Sequence, residues 1–116
     1  MVKIYGIKNC DTMKKAMTWL NDHGVAYDFI DYKKAGADAE VLRAAIAQHG
    51  WDNVINRRGT TWRQLPDAVK AQMDDEAAMS AAMENPSLVK RPLLINDAHI
   101  TLGFKPEIYA AFFGKA

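Results

Sequence analysis

Cysteine is nearly absent from this chain: Cys10 is the only one in 116 residues. One thiol excludes an intramolecular disulfide and an internal Cys-x-x-Cys redox cycle. It also excludes any zinc or iron–sulfur centre built from several cysteines of one chain. Histidine is scarce too. His23, His49 and His99 are spread out and form no metal-ligand pair, so neither a resident metal nor a bound cofactor is expected. No sign of charge is in excess, because 15 Lys and Arg oppose 14 Asp and Glu for a formal net charge of +1. That balance gives no general pull toward nucleic acid or an anionic membrane. No apolar run approaches the ~18 residues needed to span a bilayer, and there is no Gly-rich phosphate loop or nucleic-acid motif. The opening Met1-Val2-Lys3-Ile4-Tyr5-Gly6 is too short and too strand-like for a signal peptide. The expectation is a cytoplasmic protein with no direct nucleic-acid contact and no membrane.

What is present suits one domain over 1–116, since 49% of the residues are hydrophobic and the length fits a single core. Val2 to Tyr5 reads as a strand ended by Gly6. Met13, Ala16, Met17 and Leu20 follow at the spacing of one apolar helix face, which His23-Gly24 closes. Val25 to Asp31 alternates as a second strand, with Val25, Tyr27, Phe29 and Asp31 on one side. Strand, helix and strand with short joints make a parallel βαβ unit. Lys33 to Ala37 reads as a loop, and a helix from Asp38 to His49 buries Val41, Leu42, Ala45 and Ile46. Trp51 to Asn85 breaks into short helices. Arg57 to Thr61 is read as loop, a helix begins with Pro66 in its first turn and reaches Met73, and another runs from an Asp74 or Asp75 cap to Met83. Leu93 to Ile95 and His99 to Leu102 form a hairpin. A last helix from Pro106 turns Ile108, Phe112 and Phe113 inward. The order predicts an α/β fold with a mixed four-stranded sheet, and a helical insertion at about 38–88 between the second and third strands.

Cys10 follows the first strand by the loop Gly6-Ile7-Lys8-Asn9 and stands at the start of the first helix. The unpaired N–H groups and positive dipole end at that place favour thiolate over thiol. Lys8 adds positive charge nearby, and the Thr12 hydroxyl is placed to donate to the sulfur. Position alone leaves two readings, a reactive thiol or a plain capping residue. Met13 occupies the place of a second cysteine, so any disulfide of Cys10 is made with another molecule, and a small thiol such as glutathione is the natural resolving partner. Arg57, Arg58, Arg91 and Lys105 are basic residues in loop-like stretches. Spacing does not show whether they converge on Cys10 as an anion site or are separately solvated.

Four blocks carry a resemblance over nearly the whole chain: Ile4 to Ala16 around Cys10, Arg58-Gly59-Thr60-Thr61-Trp62-Arg63, Lys90-Arg91-Pro92-Leu93-Leu94, and Gly103-Phe104-Lys105-Pro106. In this order the sequence resembles the arsenate reductase/Spx (ArsC) family, in its YffB-like branch. The resemblance implies a thioredoxin-like fold, Cys10 as redox nucleophile and Pro92 as the cis-proline. Lys8, Asn9, Thr12, Arg57, Arg91, Pro92 and Lys105 would surround the substrate. In the arsenate reductases three arginines hold the oxyanion. Arg57, or Arg58 across a one-residue gap, matches the first and Arg91 the second, while Lys105 replaces the third. Those enzymes also carry a histidine four residues before the cysteine, where this chain has Gly6. Lysine lacks the planar fork of arginine, and both departures point away from arsenate. The implied activity is glutathione-dependent monothiol reduction, with a small thiol or a protein disulfide as partner. The alternatives are an Spx-like regulator that binds RNA polymerase, and arsenate reduction.

Overall fold

The computed structural model describes residues 2–115. The chain forms two compact units: the residues up to Asp31 together with those from Arg91 onward, and Tyr32–Lys90. The first holds the sheet. Its elements are β1 (Val2–Gly6), α1 (Asp11–Asp22), β2 (Tyr27–Asp31), β3 (Leu93–Asn96), β4 (His99–Leu102) and a C-terminal helix (Pro106–Phe112). The strand order is β2-β1-β3-β4. β1 runs parallel to β2 and antiparallel to β3, and β3 is antiparallel to β4. This is the mixed sheet of a thioredoxin-like fold, with the helical unit inserted between the second and third strands.

The register decides which side chains meet α1. Val2 lies opposite Tyr27, Ile4 opposite Phe29 and Leu94, and Gly6 opposite Asp31. Strand alternation sends these residues to one face. There Val2, Ile4 and Leu94 pack with Met13, Ala16, Trp19 and Leu20 of α1 and with Tyr109. The expected apolar stripe of α1 is observed at Met13, Ala16 and Leu20, Trp19 joins it, and Met17 is only partly buried at its border. Tyr27, Phe29 and Val25 border the same cluster.

Several boundaries differ from expectation, each for a local reason. Gly6 belongs to β1, paired with Asp31. β2 begins at Tyr27 rather than Val25, because the Val25 N–H is committed to Leu20 O at 2.9 Å. Together with Gly24 N–H to Asn21 O at 3.2 Å and the positive φ of 67° at Gly24, this bond closes α1 as a Schellman motif.

The second unit contains α2 (Tyr32–Ala35), α3 (Ala39–His49), α4 (Trp51–Val54), α5 (Thr60–Arg63), α6 (Asp67–Ala71) and α7 (Asp75–Glu84), then a 3-10 turn at Pro86–Leu88; the C-terminal helix of the first unit is α8. Lys33 to Ala35, loop-like by sequence, form part of α2. Tyr32 is buried, and Gly36, at φ 71°, closes the turn with its N–H on Tyr32 O at 3.0 Å. The helical unit therefore spans 32–90, wider than the expected 38–88. Asp38 caps α3 by accepting from the N–H of Glu40 and Val41, and Asp74 caps α7 by accepting from Ala77 N–H. Thr60 and Thr61 start α5 instead of ending a loop, and the Thr61 hydroxyl meets Ser87 Oγ at 3.0 Å. Pro66 stands just before α6 rather than in its first turn, and the helix stops at Ala71 rather than Met73.

α8 shows one reversal. Ile108, inward by its sequence period, is 40% exposed, while Tyr109 is fully buried. Tyr109, Phe112 and Phe113 share the i, i+3, i+4 stripe, and the larger aromatic surface takes the core. Tyr109 stands edge-on to Trp19, Phe104 and Phe113. Its hydroxyl finds no hydrogen-bond partner among the described residues. Burial raises its pKa above the ordinary 10.0, because the phenolate is costly in an apolar surround. The folded state thus keeps its proton where the unfolded chain has lost it, so stability is fully present below about pH 10 and falls as pH rises beyond it. Tyr109→Phe removes both the unpaired hydroxyl and this term. It is expected to stabilise the fold by about 1 kcal/mol near neutrality, and by more at pH 11 than at pH 8. Urea unfolding of both proteins at the two pH values checks this; an equal difference at both would refute the ionisation argument.

Candidate functional site

The site is assembled at one end of the sheet. β1 ends at Gly6, and the turn Ile7–Asn9 carries the chain to Cys10, the N-cap of α1. Cys10 has extended backbone angles, φ −115° and ψ 125°, and its carbonyl accepts from Lys14 N–H at 3.0 Å. Its side chain is half-buried against the core cluster and makes no capping hydrogen bond. The first-turn N–H groups have no acceptor within the helix, which leaves them available to a thiolate or to an anion bound beside it.

The strand pairing brings two further segments to this end. Tyr5 pairs with Leu93 across antiparallel strands, so Arg91 and Pro92 lie beside the segment leaving β1. The Arg91–Pro92 peptide is cis, and Pro92 is fully buried. Pro92 O accepts from Gly103 N–H at 2.9 Å, which draws in Gly103-Phe104-Lys105. Lys105 is exposed and caps α8. Lys8, Asn9, Cys10, Thr12, Arg91, Pro92 and Lys105 therefore all belong to the same end of the sheet unit. Spacing along the chain did not reveal this, because the convergence depends on β1, β3 and β4 being neighbours.

Arg57 belongs to the helical unit. Its guanidinium lies 5.8 Å from the centroid of the Trp51 ring, within cation–π range, and Trp51 stacks on Trp62. Arg58 donates its backbone N–H to Asn56 Oδ1 at 3.2 Å. Both arginines line one cavity of about 410 Å³ with Asp52, Asn53, Ile55, Asn56 and Lys90. The sequence spacing of Asn56 and Lys90 gives no sign of this shared cavity. Lys90 joins the cavity because its N–H bonds Val54 O at 2.8 Å while Ile55 bridges Val89, a contact between distant segments. Three cations against one carboxylate make the cavity suited to an anionic group. No cluster of three or more His, Cys, Asp and Glu residues suited to a metal occurs among the described residues.

The ArsC family model matches residues 5–112, nearly the whole chain. The chain belongs to the ArsC family. Among solved structures, a YffB protein is 52% identical, with 96% of this chain and 97% of that one covered and a TM-score of 0.91. An arsenate reductase (ArsC) related protein from Brucella melitensis is 51% identical, covering 97% and 93% of the two chains, with a TM-score of 0.75. A global transcriptional regulator Spx from Streptococcus agalactiae is 25% identical over 99% of this chain and 85% of its own length. Within this ArsC-family chain, Met13 is fully buried and faces Gly6: a Cβ built on Gly6 would lie 2.8 Å from Met13 Cε. Gly6, where the resemblance would place a histidine, and Met13, which stands where a Cys-x-x-Cys motif would have its second cysteine, are thus neighbours in the core. No helix of the described residues is long and apolar enough to cross a membrane.

Proposed function

We propose that the chain is a glutathione-dependent monothiol reductase with Cys10 as its nucleophile. The observation that carries this reading is the gathering of a half-buried thiol at a helix N-cap, a buried cis-proline and the cations Arg91 and Lys105 at one end of the sheet. The Cys10 thiolate attacks one sulfur of a disulfide R–S–S–G, where G is glutathione. The Cys10–SG bond forms, the R–SG bond breaks, and RS⁻ leaves and takes up a proton. A second glutathione thiolate attacks the glutathione sulfur of Cys10–S–S–G, releasing Cys10 thiolate and oxidised glutathione. The sum is R–S–S–G + GSH → RSH + GSSG. Lys8, Arg91 and Lys105 attract the carboxylates of glutathione, Asn9 and Thr12 line its approach, and Pro92 shapes the wall beside the thiol. Arg57, or Arg58 beside it, offers an anionic group a separate place within the helical unit, in the cavity it shares with Lys90. A reduced glutathione pool is needed, which fits a cytoplasmic location.

The test is incubation with oxidised glutathione followed by intact-mass and peptide analysis. One glutathione per chain, on Cys10 and released by reduced glutathione, is expected. No adduct under conditions that modify a free cysteine peptide would sink the proposal. Lys105 in place of an arginine and Gly6 in place of a histidine weigh against arsenate, so arsenate turnover is expected to be negligible beside that of glutathione disulfides. The 25% identity with Spx over 99% of this chain supports a second reading, a regulator acting on RNA polymerase. Pull-down of the polymerase by the Cys10→Ser chain would favour it.

A further inference from the structure

An open groove of about 420 Å³ runs along the outer side of α1, lined by Lys14, Lys15, Thr18, Trp19, Asp22, Phe104 and Pro106. It lies wholly within the sheet unit. Its floor is aromatic and firmly held. His23 stacks on the Trp19 ring at 3.8 Å between centroids and 14° between planes, Phe113 lies 5.9 Å away, and Tyr109 abuts both Trp19 and Phe104 edge-on. A rigid apolar floor of this kind binds without an ordering cost in the receptor. The rim is polarised: Lys14 and Lys15 stand toward the Cys10 end of the helix, and Asp22 at the far end.

The groove begins one helical turn along α1 from Cys10. Lys14 is hydrogen-bonded to Cys10 through its backbone, and both Cys10 and Phe104 pack on the cluster that contains Trp19. Lys105, already assigned to the thiol site, stands between two groove residues. At the rise of ~1.5 Å per helical residue, the Trp19 floor begins roughly 13 Å along the axis from Cys10. An extended chain covers that distance in about four residues. Glutathione has a single residue on each side of its cysteine and does not reach it.

We propose that this groove seats the polypeptide whose oxidised cysteine Cys10 reduces. An acidic side chain of that polypeptide lies against Lys14 and Lys15, and an aromatic or large apolar side chain lies on Trp19 and Phe104. The substrate class is then protein-bound glutathione, R in the reaction above being a polypeptide, and the redox part rests on the reading of Cys10 given there. A second copy of this chain is a poorer occupant. Its own groove brings lysines to the lysine rim, where the committed partner brings a carboxylate.

The experiment uses a peptide with a central glutathionylated cysteine, with Glu about two residues and Phe about four residues away on both sides, so that either chain direction fits. A control peptide carries Lys and Ser at those places. The acidic-aromatic peptide is expected to be reduced with a kcat/KM about tenfold higher than the control, a free-energy difference of about 1.4 kcal/mol. That ratio falls to about one in Thr18→Trp, which fills the groove at an exposed position, and inverts in the double variant Lys14→Glu/Lys15→Glu. Equal rates for the two peptides, or a ratio untouched by Thr18→Trp, would overturn the proposal. So would a self-associated dimer in sedimentation that Thr18→Trp dissolves. If Cys10 exchanges with no disulfide at all, the reductase reading fails separately. The groove is then decided by amide NMR of Cys10→Ser titrated with the peptides: shifts at Lys14 to Asp22 with the first peptide and not the second uphold it, and their absence overturns it.

Discussion

A Cys10→Ser chain is expected to lose disulfide reduction by about 10³-fold or more while becoming slightly more stable. The two effects have separate origins. Reduction requires a sulfur that forms and breaks an S–S bond, and the chain has no second cysteine to take over. Stability depends on the helix end. Cys10 is the N-cap of α1 and its side chain makes no capping hydrogen bond, whereas serine at an N-cap accepts from the N–H groups of the first turn and contributes about 0.5–1 kcal/mol. The combination discriminates between the two readings that position alone leaves open. A residue present only to cap the helix would be improved by serine with no loss of turnover. A residue present as nucleophile would be improved as a cap and lost as a catalyst. Glutathione-coupled turnover and urea unfolding on the same preparation give both numbers. Retained turnover would remove Cys10 from the mechanism.

The second large effect is expected where Gly6 meets Met13. Gly6 lies on the β1 face that looks at α1, and a Cβ there would strike the end of the Met13 side chain, which has no exposed surface to retreat to. Gly6→Ala therefore overpacks the core at a cost of about 1–3 kcal/mol. Met13→Ala leaves a cavity at a cost of about 2–5 kcal/mol. In the double variant the alanine methyl at position 6 enters part of that cavity, so the combined loss falls short of the sum by about 1 kcal/mol or more. Urea unfolding of the four proteins measures the coupling, and strict additivity would refute the contact. The same geometry bears on function. A histidine introduced at Gly6 would need the Met13 side chain to yield first.

Much of the fold was legible because it rests on local signals. The apolar spacing of Met13, Ala16 and Leu20, the Gly24 stop, the Asp38 and Asp74 caps and the Leu93–Leu102 hairpin are written in neighbouring residues. The failures share one cause, competition between segments for burial or for a backbone donor. Ile108 was as good an inward residue as Tyr109 by period, and the aromatic cluster around Trp19 favoured the latter. Val25 was as good a strand residue as Tyr27, and its N–H was taken by Leu20 O. Lys90 stands in one of the resemblance blocks, but its spacing does not place it beside Arg57 and Arg58, since that comes from a pairing made far along the chain.

The sequence by itself determined that this protein has one thiol, that the thiol opens a helix, and that no second cysteine stands three residues on. These are facts of composition and of spacing within one helical turn, and chain folding does not alter them. It also determined the family, through blocks spread over nearly its whole length. Tertiary structure alone decided that Arg91, Pro92 and Lys105 share the sheet end with Cys10, since that depends on which strands are neighbours. It alone decided that Gly6 and Met13 touch, and that Trp19 and Phe104 floor a groove leading away from the thiol. Those relations join residues up to 95 positions apart, as Cys10 and Lys105 are, and they exist only once β1, β3 and β4 have paired and α1 has packed on the face they form.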